Sequence, residues 1–160
     1  MKASRENKMN RTQKFARLFH MHALLTLGAL VLEFILGMYT ALFVAFPDTL
    51  AGGNAWQWSF SNSAITVAHI ILGTLMVLMA LSTLGFGAAS KSKTAILTGV
   101  LGLVMILIAY LSGSIFLGNI ENDQYSFSMA LGFIGAMVVY GLAYYRTRPD
   151  SLSTVDQTPE

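Results

Sequence analysis

The sequence predicts an all-α integral membrane protein, a four-helix up-down-up-down transmembrane bundle with both termini cytoplasmic. Three observations predict it. The chain of 160 residues is 54% hydrophobic and 11% charged, whereas a soluble domain carries about 25% charged residues. Its apolar residues gather in four runs, Phe19 to Phe46, Ala64 to Ala88, Ala95 to Leu117 and Phe127 to Tyr145. Each is about the 20 residues needed to cross the hydrocarbon core. All ten Lys and Arg lie before the first run, between the second and third, or after the fourth. The other two loops contain Asp48, Glu121 and Asp123 and no cation. By the positive-inside rule this split sets the orientation. A prokaryotic plasma membrane is the expected location.

Residues 1–18 form a basic cytoplasmic arm with Lys2, Arg5, Lys8, Arg11, Lys14 and Arg17. Anionic headgroups are its natural counterpart; no nucleic acid is implied. Residues 1–14 read as loose chain or an interfacial helix. The first run is too long for a signal-peptide core and is read as a retained span. Residues 47–63 are read as the longest loop. Its Trp56, Trp58 and Phe60 suit the headgroup interface, where aromatic rings collect. Residues 89–94 and 119–126 form short turns, which make neighbouring helices antiparallel. The transmembrane domain covers 19–146. The tail, 147–160, is rich in Ser, Thr and Asp and is expected to be disordered.

Each run carries a stripe of small or polar residues at helical spacing. The first has His22, Thr26, Ala29, Glu33, Gly37 and Thr40. The second has Thr66, His69, Gly73, Met76, Ala80, Thr83 and Gly87. Gly102, Met105, Ala109 and Ser112 continue the pattern in the third, and Ser128, Gly132 and Gly135 in the fourth. Steps of three and four put each set on one face. In lipid such faces turn inward, because small residues let helices approach closely.

Packing accounts for most of the stripes and leaves two side chains over. His69 is about five residues, or roughly 8 Å, inside the span. Gly73 follows it by one turn and would leave open surface beside the imidazole, as a heme requires. Intramembrane ionisable residues are costly and usually functional. Met129 is at a similar height in the fourth span and is a candidate second axial ligand; Met38 is deeper. Gly113 and Gly132 would give a macrocycle room, and Trp56 and Trp58 would cover its edge. Glu33, mid-span, calls for a neutral acid or a partner on another helix, and suits a proton-handling role. His20 and His22 sit at the inner end near Arg17, with Tyr144 and Tyr145 facing them. The chain has no Cys, which excludes disulfides, thiolate metal sites and covalent c-type heme attachment.

The stretch from Phe34 through Leu36, Gly37 and Thr40 to Pro47 resembles the Leu-Gly-x-x-Thr exit of the first helix in a heme A synthase half-domain. Ala68-His69-Ile70-Ile71-Leu72-Gly73 takes the place of the His-bearing start of that family's next helix. Gly99, Gly102, Ser112 and Gly113 resemble its third. The resemblance implies a half-size heme-binding bundle with a site at His69. It departs where the family has a second His near the start of the fourth helix, since Met129 stands nearest. Asp48 is only a loose counterpart of the synthases' acidic residue, so heme A synthesis itself is not carried over.

Three functions compete. The first is a small membrane protein binding heme b, for electron transfer with quinone or a respiratory partner, or for heme handling. The second is a non-catalytic accessory subunit of a respiratory-type complex. The third is a small proton-coupled transporter using Glu33.

Overall fold

The computed structural model describes residues 2–50, 54–118, 120 and 123–146. The expected tail lies outside them. Helix α1 runs Lys2–Phe43, α2 Trp56–Asn62, α3 Ala64–Ser90, α4 Lys93–Gly118 and α5 Asp123–Arg146, with a 3-10 turn at Asp48–Leu50. No strand occurs among the described residues. Four of these helices are long and apolar enough to cross a membrane: α1 within Gln13–Phe43, α3, α4, and α5 within Gln124–Arg146.

The observed helices outrun the apolar runs. The arm is helical from Lys2, so α1, with 42 residues, is about 63 Å long at 1.5 Å per residue. It stops at Phe43, short of the expected Phe46. Residues read as loop contain the short helix α2.

Local chemistry explains the ends. The Ser63 Oγ caps α3, accepting from Thr66 N–H at 3.3 Å and lying 2.7 Å from Thr66 Oγ1. This satisfies an amide that the helix leaves unpaired. At the other end Lys91 adopts a left-handed φ of 57°, and its N–H donates to Ala88 O at 3.1 Å. Ser92 then starts α4. Its Oγ accepts from Ala95 N–H at 3.4 Å, and its carbonyl from Ile96 N–H at 3.0 Å.

The long helices pack in a ring, α1 on α3, α3 on α4, α4 on α5, and α5 back on α1. The last seam is the thinnest. Neighbours are antiparallel. Leu84 meets Gly99 and Tyr110 meets Gly73 across α3 and α4, while Tyr140 meets Gly102 and Met129 meets Gly113 across α4 and α5. The bundle therefore has a basic end, with Lys14, Arg17, Lys91, Lys93 and Arg146, and an aromatic end with Phe46, Trp56 and Trp58.

The stripes face inward as expected. Thr26, Thr66, Met76, Ala80, Thr83, Gly87, Gly102, Ser112 and Gly132 are buried. Large apolar side chains such as Leu32, Leu78, Leu97, Leu111 and Val138 are exposed. A belt of that extent suits lipid, since soluble monomers expose only small apolar patches. Glycine sets how close the helices come. A Cβ on Gly132 would stand 2.7 Å from Ala109 N, and one on Gly99 2.7 Å from Leu84 Cα. Ala23, Leu30, Met76, Ala80, Ile106, Ala136 and Tyr140 form the main core. Phe19, Ala95 and Ala143 close the basic end.

Candidate functional site

Glu33 and His69 meet across the α1–α3 seam. The carboxylate Oε1 is 3.0 Å from Nδ1, and the side chains are 14% and 19% exposed. This is contact distance without hydrogen-bond alignment, since Nδ1 and Glu33 Oε2 both lack an aligned partner. A small rotation of the carboxylate would supply one.

The sequence places a glycine one turn after each member of the pair. Gly37 follows Glu33, and Gly73 follows His69. Because the helices are antiparallel, each charge-bearing side chain faces the other helix's glycine. A Cβ on Gly73 would stand 3.0 Å from Glu33 Oε1, and one on Gly37 would stand 3.1 Å from His69 Cε1 and 3.6 Å from Nε2. Any larger residue would crowd the pair. Gly73 thus makes room for a carboxylate, a role its spacing from His69 alone does not reveal.

The pair borders a cavity of about 480 Å³ in the aromatic half of the bundle. That lies within the roughly 300–1,000 Å³ of small-molecule and cofactor sites. His69, Gly73, Gly113, Met129 and Trp56 line it, as do Glu33, Met38 and Thr40. Most of the remaining lining is apolar, with Phe34, Ile70, Met76, Ala109, Phe116 and Phe133 among its walls, and Thr66, Tyr110, Ser114 and Ser126 add hydroxyls. Thr40 Oγ1 and Glu33 Oε2 are buried polar atoms without partners on the α1 wall. Tyr110 closes the α4 side, its hydroxyl 3.4 Å from Thr74 Oγ1.

Register puts His69 and Met129 at one height. Across α3 and α4, Tyr110 stands beside Gly73, and the antiparallel run continues to bring Ser114 opposite His69. Across α4 and α5, Met129 Sδ lies over Gly113, 3.0 Å from where a Cβ would be. Helices α3 and α5 are diagonal in the ring. An imidazole and a thioether therefore line one cavity from opposite corners.

Two expected site residues lie elsewhere. Gly132 is packed against the α4 backbone at Ala109 and Met105, so it serves helix contact and gives the cavity no room. Trp58 does not line the cavity; it packs on Phe46 with centroids 5.1 Å apart. Trp56 lines the aromatic end instead, and the preceding Ala55 N–H donates to Leu117 O at 2.8 Å. On the thin α1–α5 seam the wall is a stacked pair, Phe34 and Phe133, with centroids 5.5 Å apart. Phe34, Met38 and Ile134 line the cavity while also being exposed on the bundle's outside.

The inner histidines are outside this site. His20 stacks on Tyr144 at 4.6 Å. His22 Nδ1 is 3.5 Å from Thr83 Oγ1, and its ring tilts against Phe86. Among the described residues no three His, Asp or Glu side chains converge as a metal cluster. The cavity is lined by one imidazole, one carboxyl group and three thioethers, those of Met38, Met76 and Met129. No family model, curated protein or solved structure matches the chain.

Proposed function

We propose that this chain is a small b-type heme-binding membrane protein, with His69 as axial ligand and Met129 as the second, serving electron transfer or heme handling. The carrying observation is that His69 and Met129 face one cavity at one height from diagonal helices. A heme at this position would supply one-electron chemistry, and His/Met ligation would raise its potential relative to His/His. The residues fit the group. Glu33 stands at Nδ1, the usual place of a carboxylate that orients a metal-binding histidine. That leaves Nε2 for iron. Gly73 admits the Glu33 carboxyl group and Gly113 the Met129 thioether, and Trp56 lines the end. Both termini face the cytoplasm in this reading, because the sequence puts every Lys and Arg on one side of its four apolar runs.

The test is an absorption spectrum of the protein purified after heme-replete expression. A Soret band between roughly 410 and 430 nm is expected, lost in His69→Ala and shifted in Met129→Leu. A colourless protein overturns the proposal.

A second reading rests on the unpartnered Glu33 Oε2 and Thr40 Oγ1 in the cavity wall. Glu33 would alternately hold a proton and a cationic apolar substrate, as a proton-coupled transporter requires. Proton release on substrate binding, abolished in Glu33→Gln, is the expected result. Release that survives the substitution removes this reading.

A further inference from the structure

A second, shallower site lies at the opposite end of the bundle, between the start of α4 and the end of α5. There a groove of about 120 Å³ is lined by Thr94, Leu97, Thr98, Leu101, Val139, Leu142, Ala143 and Arg146. Its composition changes along its length. Leu97, Leu101 and Leu142 form an exposed apolar floor. Arg146 and Thr94, both exposed, stand at its mouth. Lys93, also exposed, is the first residue of α4. The α4 N-terminus adds the positive end of a helix dipole. Ser92 already caps Ala95 and Ile96, so the mouth's amides are those of Lys93 and Thr94. Among the described residues no acidic side chain lines the groove.

We infer that this groove binds one anionic phospholipid, with an acyl chain over Leu97, Leu101 and Leu142 and the phosphate held between Arg146 and the start of α4. Three properties select that occupant. The floor faces the lipid belt, so its natural neighbour is a hydrocarbon chain. The mouth is cationic and sits at the polar boundary of the span, where a phosphate lies. Arg gives the phosphate two parallel N–H donors in a planar fork, and the helix start adds backbone donors of the type that bind phosphate elsewhere. A zwitterionic lipid offers the same chain with no net charge to match the mouth. This inference is independent of the heme proposal.

The experiment uses the full chain in neutral detergent. Thermal unfolding is followed during titration with phosphatidylglycerol, phosphatidylcholine or inorganic phosphate. Phosphatidylglycerol should raise the midpoint saturably, while phosphatidylcholine and free phosphate should leave it unchanged. Arg146→Gln should weaken the phosphatidylglycerol response about fivefold, as expected for one cation near a charged headgroup. Leu101→Trp, which fills the groove and leaves the charges, should abolish it. Arg17→Gln, outside the groove, is the control and should respond as wild type. Equal responses to the two lipids would overturn the inference, as would a phosphate-only response. So would an unchanged response in both groove variants, or an equal loss in Arg17→Gln, which would make the attraction diffuse.

Discussion

The two halves of this bundle are built from the same kinds of residue and differ in what their glycines admit. Toward the basic end, Gly102 receives the ring of Tyr140, and a Cβ there would stand 2.5 Å from Cζ. Tyr140 itself is fully buried, its hydroxyl beside Thr83. Thr83 donates to Met79 O at 2.9 Å, and the Tyr140 hydroxyl has no aligned hydrogen bond. Space opened on α4 by Gly102 is filled from α5 by Tyr140. Toward the aromatic end, Gly37 and Gly73 face the His69–Glu33 pair and Gly113 faces a thioether. The Tyr110 ring comes only to 3.8 Å from where a Gly73 Cβ would stand, and about 480 Å³ stays open. A glycine stripe in a membrane helix therefore carries no single meaning. Its role depends on whether the facing residue is a large apolar filler or a polar group that stops short.

The contrast can be broken by truncation. Tyr140→Ala should cost the most, about 3–5 kcal/mol, the range for large aromatics cut from a packed interior. Met129→Ala, beside existing open space, should cost about 2 kcal/mol or less, the low end for Met truncation. Unfolding in mixed micelles measures both. Equal costs would mean that the halves are packed alike.

Adding atoms probes the same difference from the other side. Gly132→Val should destabilise by about 1–3 kcal/mol, because α4 and α5 must separate to admit it. Next comes the polar pair. A double-mutant cycle on Glu33→Gln and His69→Gln should give a coupling of about 0.6–1.7 kcal/mol, the range measured for polar contacts within membranes. Zero coupling would reduce the pair to two neighbours that share a wall. Gly85→Ala should show the smallest effect. Nothing lies within 4 Å of its added Cβ, so stability should stay level or rise by up to about 1 kcal/mol from helix propensity.

The sequence made the packed half easy to read and the open half hard. Steps of three and four among Thr66, Met76, Ala80, Thr83 and Gly87 located the buried face of α3, because periodicity within one helix decides which way it turns. That Glu33 must be a neutral acid or find a partner on another helix was also legible from the cost of a bare carboxylate in lipid. That the partner is His69 was not, because it depends on how α1 slides along α3. The signal was present in the matching four-residue steps, Glu33 to Gly37 and His69 to Gly73, which become reciprocal only in antiparallel register. Gly132 misled for the same reason: spacing within α5 cannot tell a helix contact from a cavity wall. The helix α2 escaped because Trp56-Gln57-Trp58-Ser59-Phe60 alternates aromatic and polar residues, which reads as an interfacial loop. For the charged arm the composition left loose chain and interfacial helix open, and its backbone is helical from Lys2.

The Trp56 end of the cavity is stitched to α4 through Ala55 and Leu117, whereas the side wall at Phe34 and Phe133 is two stacked rings, with Phe34 exposed on the apolar outside of the bundle. Water and membrane therefore do not compete equally as reservoirs for whatever enters. A molecule that dissolves in the bilayer reaches the side wall at its concentration in the membrane, enriched by its partition coefficient. Affinities expressed per litre of buffer will accordingly follow the lipid-to-protein ratio, and should collapse to one value when recast as mole fraction in the bilayer.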